Sequence, residues 1–280
     1  MIGKTPYRVA YLGPTGTFTE QAASMYAPDS TLIPFPSTAA VADAVRSQMA
    51  DQGVVPIENS LEGSVPETLD LLIGEAALRI CREIVIPIEH ALLTLPGTMP
   101  EQIRAIYSHP NALGQCRKFL ERCFPQAQVV AALSTAAAVQ GLNASPETAA
   151  AIAPPRAAAI YGVDILATGI QDHANNATRF VVLGSNDSLP TGNDKTSLCF
   201  AFEQDRPGLL YKAMGVFALR NINLVKVESR PTKESLGHYI FLVDLEGHRD
   251  DPLVQEALGV LARDASIMKV LGSYPKFTKG

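Results

Sequence analysis

The sequence predicts an α/β protein built from two modules, on three observations. Through residue 183, short apolar runs alternate with stretches of helical periodicity, the pattern of strands joined by helices in a parallel architecture. Farther on, the order becomes strand, helix, strand, strand, helix, strand, a split βαββαβ unit. Between the two lies GSNDSLPTGND at 184–194, whose Gly, Pro, Ser, Asn and Asp content reads as a linker. The expected division is a first module at 1–185, a linker at 186–194 and a second module at 195–280. The charge balance changes at the same place: residues 1–194 hold 11 Lys and Arg against 18 Asp and Glu, and residues 195–280 hold 12 against 10.

Taken in order, Arg8–Leu12 reads as a strand and Gly13-Pro14-Thr15-Gly16 as the turn after it. A helix begins near Thr17, with Glu20 three residues on completing a capping box. Leu32–Phe35 is a second strand, Ser37 caps a helix over 38–49, and Gly53–Ile57 is a third strand. Ser64 and Glu67 repeat the capping-box spacing, and Pro66 sits in the first turn, where its missing N–H is tolerated. Ile103–Tyr107 leads through Ser108-His109-Pro110 into a helix reaching Cys123. Gln128–Ala132 leads through Ser134-Thr135 into an Ala-rich helix. Residues 149–161 read as a short strand, a turn at Pro154-Pro155 and a small helix, and Phe180–Leu183 closes the module. The second module reads as strand 196–202, helix 209–220, strands 223–228 and 238–245, helix 252–263 and strand 268–274, a ferredoxin-like arrangement.

With 47% hydrophobic and 18% charged residues over 280 positions, the chain can bury real cores. Aromatics are sparse, so those cores are aliphatic. A net charge of −5 argues against a nucleic-acid partner. The four cysteines form no CxxC or Cys/His set of the kind that holds a metal, and Cys116 and Cys123 are expected on one helix as packing residues. No dinucleotide GxGxxG fingerprint appears, so neither metal nor cofactor is expected. No apolar run suggests a signal peptide or a membrane span, and a cytoplasmic setting is the expectation.

Hydroxyl or glycine residues recur where strands give way to helices: Thr15–Thr17, Ser37-Thr38, Ser60–Ser64, Ser108 and Ser134-Thr135. Helix N-termini offer unpaired N–H groups and partial positive charge, and in an open α/β sheet such ends line one crevice. Singly, each residue is better explained as an N-cap than as a ligand contact; together they point to an anion-binding cleft. Three clusters carry more than capping: Glu58-Asn59-Ser60 at a strand end, Ser108-His109-Pro110-Asn111 through Gln115-Cys116, and Asn175-Asn176-Ala177-Thr178-Arg179-Phe180 entering the last strand. Asx-turns at Asn59 and Asn176 and a solvated Arg179 remain equal alternatives on spacing alone, and for His109 a surface or core imidazole is the better reading.

Resemblance narrows these choices. GPTGTFTE (13–20), VPIENSLEGSV (55–65), SHPNALGQC (108–116) and NNATRF (175–180) are similar, in order, to the motif set of prephenate dehydratases. Glu228-Ser229-Arg230-Pro231 and Gly208-Leu209-Leu210-Tyr211 resemble the phenylalanine-binding motifs of the ACT domain in the same family. The resemblance implies two periplasmic-binding-protein-like lobes with an active site between them, and a chain that returns to the first lobe near Thr178. It implies decarboxylating dehydration of prephenate to phenylpyruvate without metal or redox cofactor. Thr178 would assist the leaving hydroxyl, and Glu58, Asn59 and Ser60 would orient it or complete a proton path. Thr15, Thr17, Ser64, Ser108, Gln115, Ser134, Thr135, Asn176, Arg179 and Phe180 would contact substrate, although strand alternation leaves Arg179 free to turn away. In the second module, Pro207, Gly208, Leu209, Leu210, Asn223, Glu228, Ser229, Arg230 and Pro231 would bind L-phenylalanine, following the loop that begins at Asp205. A homodimer or homotetramer is expected. Pro154-Pro155 and Leu209-Leu210 depart from the usual pattern. Arogenate as substrate, or a non-catalytic two-lobed sensor, are the competing readings.

Overall fold

The computed structural model describes residues 7–204, 206–232 and 238–278; Asp205 lies outside them. The first module runs β1 (Arg8–Leu12), α1 (Phe18–Tyr26), β2 (Thr31–Phe35), α2 (Thr38–Arg46), β3 (Gln52–Asn59), β4 (Gly63–Ser64), α3 (Pro66–Gly74), β5 (Arg79–Pro87) and β6 (Ala91–Thr94). It continues with β7 (Ala105–Ser108), α4 (Pro110–Gln115), α5 (Arg117–Cys123), β8 (Gln128–Ala131), α6 (Thr135–Gln140), β9 (Ala149–Ala153), α7 (Arg156–Tyr161), β10 (Asp164–Thr168) and β11 (Ala177–Gly184). The second module is β12 (Asp194–Ala201), α8 (Leu209–Ala218), β13 (Leu224–Pro231), β14 (Tyr239–Glu246), α9 (Pro252–Asp264) and β15 (Ile267–Pro275), the expected βαββαβ order.

Two sheets make two lobes. Lobe 1 has the order β2-β1-β3-β11-β5, with β4 on β3, and lobe 2 the order β10-β6-β9-β7-β8. Only β2-β1-β3 and β8-β7-β9 are parallel; β11 runs antiparallel to β3 and β5, and β6 to β9 and β10. The sheets are therefore mixed rather than parallel. The chain leaves lobe 1 after β5 and returns at β11, so the returning strand enters reversed. Residues 88–90 and 169–176 form the two crossings, tied by Ile88 N–H to Asn176 O (2.9 Å) and Ile170 N–H to His90 O (3.2 Å). The sequence pattern assigns no element to 75–102, where β5 and β6 lie. Their apolar residues do not alternate, because both faces are covered.

Thr17, Ser37 and Ser134 each cap a helix by accepting an N–H from the residue three positions on. Glu20 departs from the capping-box expectation: its carboxylate accepts from Gly16 N–H (2.8 Å) and pairs with Arg156 of lobe 2 (2.9 Å). Ser64 is not a cap either. It lies in β4, opposite Glu58, and Val65 precedes α3 without a side-chain cap. The helix expected through to Cys123 breaks at buried Cys116.

The second module's sheet has the order β13-β14-β12-β15. One face is covered by α8 and α9 through Leu198, Phe200, Phe217, Val243 and Leu261. The other face joins the first module in a shared core, where Cys199, Ile240, Leu242 and Leu271 meet Val55, Ile57, Leu69, Leu72 and Leu183. Contact is closest at Gly272, where a Cβ would lie 2.6 Å from the Ile80 nitrogen of β5. The expected linker is a strap held along this junction. Ser188 N–H donates to Ser273 O (3.2 Å), Asp187 accepts from Ser273 N–H (3.1 Å), and His248 Nε2 meets Ser188 O at 3.0 Å.

Candidate active site

The lobes enclose a cleft of about 750 Å³. Lobe 1 contributes Thr17, Phe18, Asn59, Glu62, Ser64, Glu67, Thr178 and Phe180; lobe 2 contributes His109, Asn111, Gln115, Leu133, Ser134 and Thr135. Ile88 and His90 come from the first crossing. Among the described residues, no Lys or Arg lines the cleft. Hydroxyls and amides line it, together with the first residues of α1 and α6.

One hydrogen-bonded chain runs through the cleft wall. Asn59 Nδ2 donates to Thr178 Oγ1 (2.9 Å) and to Asn176 Oδ1 (2.9 Å), while Asn59 Oδ1 accepts from Leu61 N–H (2.9 Å) and Glu62 N–H (3.1 Å). Ser60 Oγ donates to Asn176 Oδ1 (3.2 Å) and accepts from Ala177 N–H (3.0 Å). Asn176 Nδ2 donates to Gln115 Oε1 (3.0 Å), and Gln115 Nε2 donates to Glu62 Oε1 (3.3 Å). Because Thr178 Oγ1 already accepts, its own proton is left to donate to a group in the cleft. Thr178 is 8% exposed and Asn176 1%. Asn59, Asn176, Thr178 and Gln115 are thus joined, with Ser60 bracing Asn176 from behind.

Other expected site residues lie elsewhere. Arg179, next to Thr178 on β11, turns to the opposite face and pairs with Glu58 (3.1 Å), Glu83 (3.3 Å) and Asp244 of β14 (2.8 Å). Burial opposes its charge, but Asp244, Tyr274, Glu83 and Glu58 outweigh burial and push its pKa further up. Glu58 follows it: its carboxylate meets Arg179 and Lys226 (3.3 Å) at the module junction, away from the cleft lining. These positions correct the substrate contact expected of Arg179 and the orienting or proton-path role expected of Glu58, and strand alternation is the cause. Ser108 is fully buried and donates to Ile152 O (2.6 Å), a structural bond. Thr15 bonds Tyr11 Oη (3.0 Å) outside the lining. Ser64 borders the cleft, but its hydroxyl is engaged by Lys226 and Glu228 of β13. Phe18 and Glu62, which lie within the quoted motifs without being named as site residues, and Leu133 and His90, which lie outside them, also line the cleft. His90 follows an apolar run, and an isolated histidine there reads as core.

The prephenate dehydratase family model matches residues 9–188 and the ACT domain model residues 203–263. The chain belongs to the prephenate dehydratase family. The bifunctional chorismate mutase/prephenate dehydratase of Aquifex aeolicus is 45% identical over 276 residues, covering 96% of this chain and 74% of that protein. The prephenate dehydratase of Mycolicibacterium vanbaalenii is 40% identical, covering 95% of this chain and 90% of its own length. The solved prephenate dehydratase of Arthrobacter aurescens, in complex with L-Phe, has a TM-score of 0.89 at 40% identity, over 96% of this chain and 90% of that one. As a prephenate dehydratase family member this chain is a lyase, and its second module carries the ACT domain match.

Proposed function

We propose that the cleft converts prephenate to phenylpyruvate in one decarboxylating elimination. The bond from the ring to its carboxylate breaks, and its electron pair passes through the ring. The ring hydroxyl then leaves, and aromatisation drives the change. The carrying observation is the polarity of the Asn59–Thr178 bond, which leaves the Thr178 proton for the departing oxygen. A threonine hydroxyl is a weak acid, so it acts by hydrogen-bond stabilisation of developing hydroxide. Substrate carboxylates are placed on the lobe 2 side, at Ser134, Thr135 and Asn111, because Glu62 and Glu67 repel them from the other wall. Closing the lobes excludes water around the reacting centre. The test is phenylpyruvate formation by purified chain, with arogenate assayed alongside. Prephenate is expected to be preferred, and absence of phenylpyruvate overturns the assignment.

L-Phenylalanine is assigned to a cavity of about 460 Å³ in the ACT domain, lined by Pro207, Gly208, Leu209, Leu210, Tyr239 and Phe241. Ser229 and Pro231 pair with Phe241 and Tyr239 and share their sheet face. Asn223, Ser229 and Pro231 lie outside this lining, and Glu228 and Arg230 point to the first module. Strand β13 is a sheet edge with Val225 and Val227 about half exposed, which supports a pocket completed by a second copy across that edge. Calorimetry with L-phenylalanine, and light scattering for a homodimer or homotetramer, test this placement.

A further inference from the structure

The direction of each hydrogen bond across the hinge follows from two backbone N–H groups. Leu61 and Glu62 donate to Asn59 Oδ1, so Asn59 Nδ2 must be the donor to Asn176 Oδ1. Asn176 Nδ2 is then the donor to Gln115 Oε1. Gln115 Oε1 is an acceptor, and its other partner, His90 Nε2 at 3.0 Å, must carry a proton.

We propose that His90 is a positioning residue for the dehydratase reaction: as the neutral Nε2–H tautomer it holds the Gln115 carboxamide with its nitrogen toward the cleft, where it meets a substrate oxygen. The proposal rests on the assignment of the cleft as the dehydratase site. His90 is 2% exposed and sits where the two lobe connections meet. Its N–H donates to Gln171 Oε1 (3.0 Å), its carbonyl accepts from Ile170 N–H, and Phe18 of lobe 1 meets the ring edge-on at 5.5 Å. The ring is therefore fixed by the hinge, while Gln115 belongs to lobe 2.

Nδ1 is buried and has no hydrogen-bond partner among the described residues. A proton there would leave an N–H of a buried cation without an acceptor. Burial also pushes the imidazole pKa down, opposed by the bond to Gln115. The ring is thus built as a neutral donor, which separates it from a general acid for the leaving hydroxyl. Without that donor, Gln115 Oε1 keeps only Asn176, and half a turn of the carboxamide would set its oxygen against Glu62 Oε1, now 3.3 Å from Nε2. Glu62 and Asn176 oppose this reversal, and the His90 proton adds a third contact against it.

Nitrogen NMR of the histidine-labelled full chain reads the tautomer directly: a protonated Nε2 and a bare Nδ1 are expected, and the reverse tautomer or the imidazolium overturns the proposal. Kinetics supply the second arm. His90→Leu should lower kcat/KM by about tenfold or more, and His90→Gln, which keeps a donor at similar reach, should recover most of the loss. In a Gln115→Ala background, His90→Leu should cost less than about twofold further, because the two act as one unit. Additive losses in active enzyme mean that His90 merely fills space and overturn the proposal alone. Wild-type chain that makes no phenylpyruvate overturns the dehydratase reading, and the proposal with it. If His90→Leu does not fold, the tautomer measurement still decides.

Discussion

Thr178 and Arg179 are neighbours in the chain and face opposite ways. Alternation along β11 sends the hydroxyl to the cleft and the guanidinium to the ACT domain. Removing the Thr178 hydroxyl removes a preorganised donor. Thr178→Ala is expected to cost on the order of 10²–10³ in kcat with the fold retained, checked by steady-state kinetics and circular dichroism. Near-wild-type turnover in the folded variant sinks the assignment. His90 gives a prediction in pH. Its folded pKa lies below the ordinary value of 6.5, so between the two the unfolded chain binds a proton that the native chain does not. Stability from this group is fully present above the unfolded pKa and falls as pH drops through that window. Urea midpoints should therefore decline on acidification more in wild type than in His90→Gln. The difference is at most about 1.4 kcal/mol per pH unit; equal declines would contradict it.

Single elements join the two modules. Strand β13 turns Ser229 and Pro231 to the Phe241 and Tyr239 face, where L-phenylalanine is proposed to bind, while Lys226, Glu228 and Arg230 hold Glu58, Ser64 and Asp70 of the first module. Regulation requires L-phenylalanine to favour one arrangement of this strand over another, since equal affinity shifts nothing. Lys226→Met should keep L-phenylalanine binding by calorimetry and weaken inhibition; unchanged inhibition would remove β13 from the coupling. On the other side, Lys269 of β15 donates to Leu72 O, Ile73 O and Glu75 O, satisfying carbonyls at the C-terminus of α3. Gly272 lets β15 lie against β5. Gly272→Ala forces backbone apart at Ile80 and should cost roughly 1–3 kcal/mol or more in denaturant unfolding. A variant as stable as wild type would show that this contact is not tight.

At the scale of the whole molecule, the modules share one hydrophobic core, so the ACT domain is also part of what folds the catalytic lobes. The full chain is expected to unfold without a separate early ACT transition, measured by calorimetry with near- and far-ultraviolet dichroism followed together. A chain ending before Asp194 would expose Val55, Ile57, Leu69, Leu72 and Leu183 at once and should aggregate. A soluble, active truncated chain would contradict the shared-core account.

The sequence by itself determined the βαββαβ module, the caps at Thr17, Ser37 and Ser134, and the family, because local periodicity, capping chemistry and ordered motifs are properties of nearby residues. It also marked Asn59, Gln115, Asn176 and Thr178, which the fold brings into one chain of bonds. Tertiary structure alone decided which side of each strand faced the cleft. It turned Glu58 and Arg179 to the module junction, where opposite charges offset their burial, and spent the Ser108 hydroxyl on Ile152 O. The same holds for β5 and β6, whose two-sided burial erases alternation, and for His90, whose role exists only where two crossings 80 residues apart in sequence meet. Hydrogen-bond direction and strand facing depend on partners distant in the chain, and no local pattern records them.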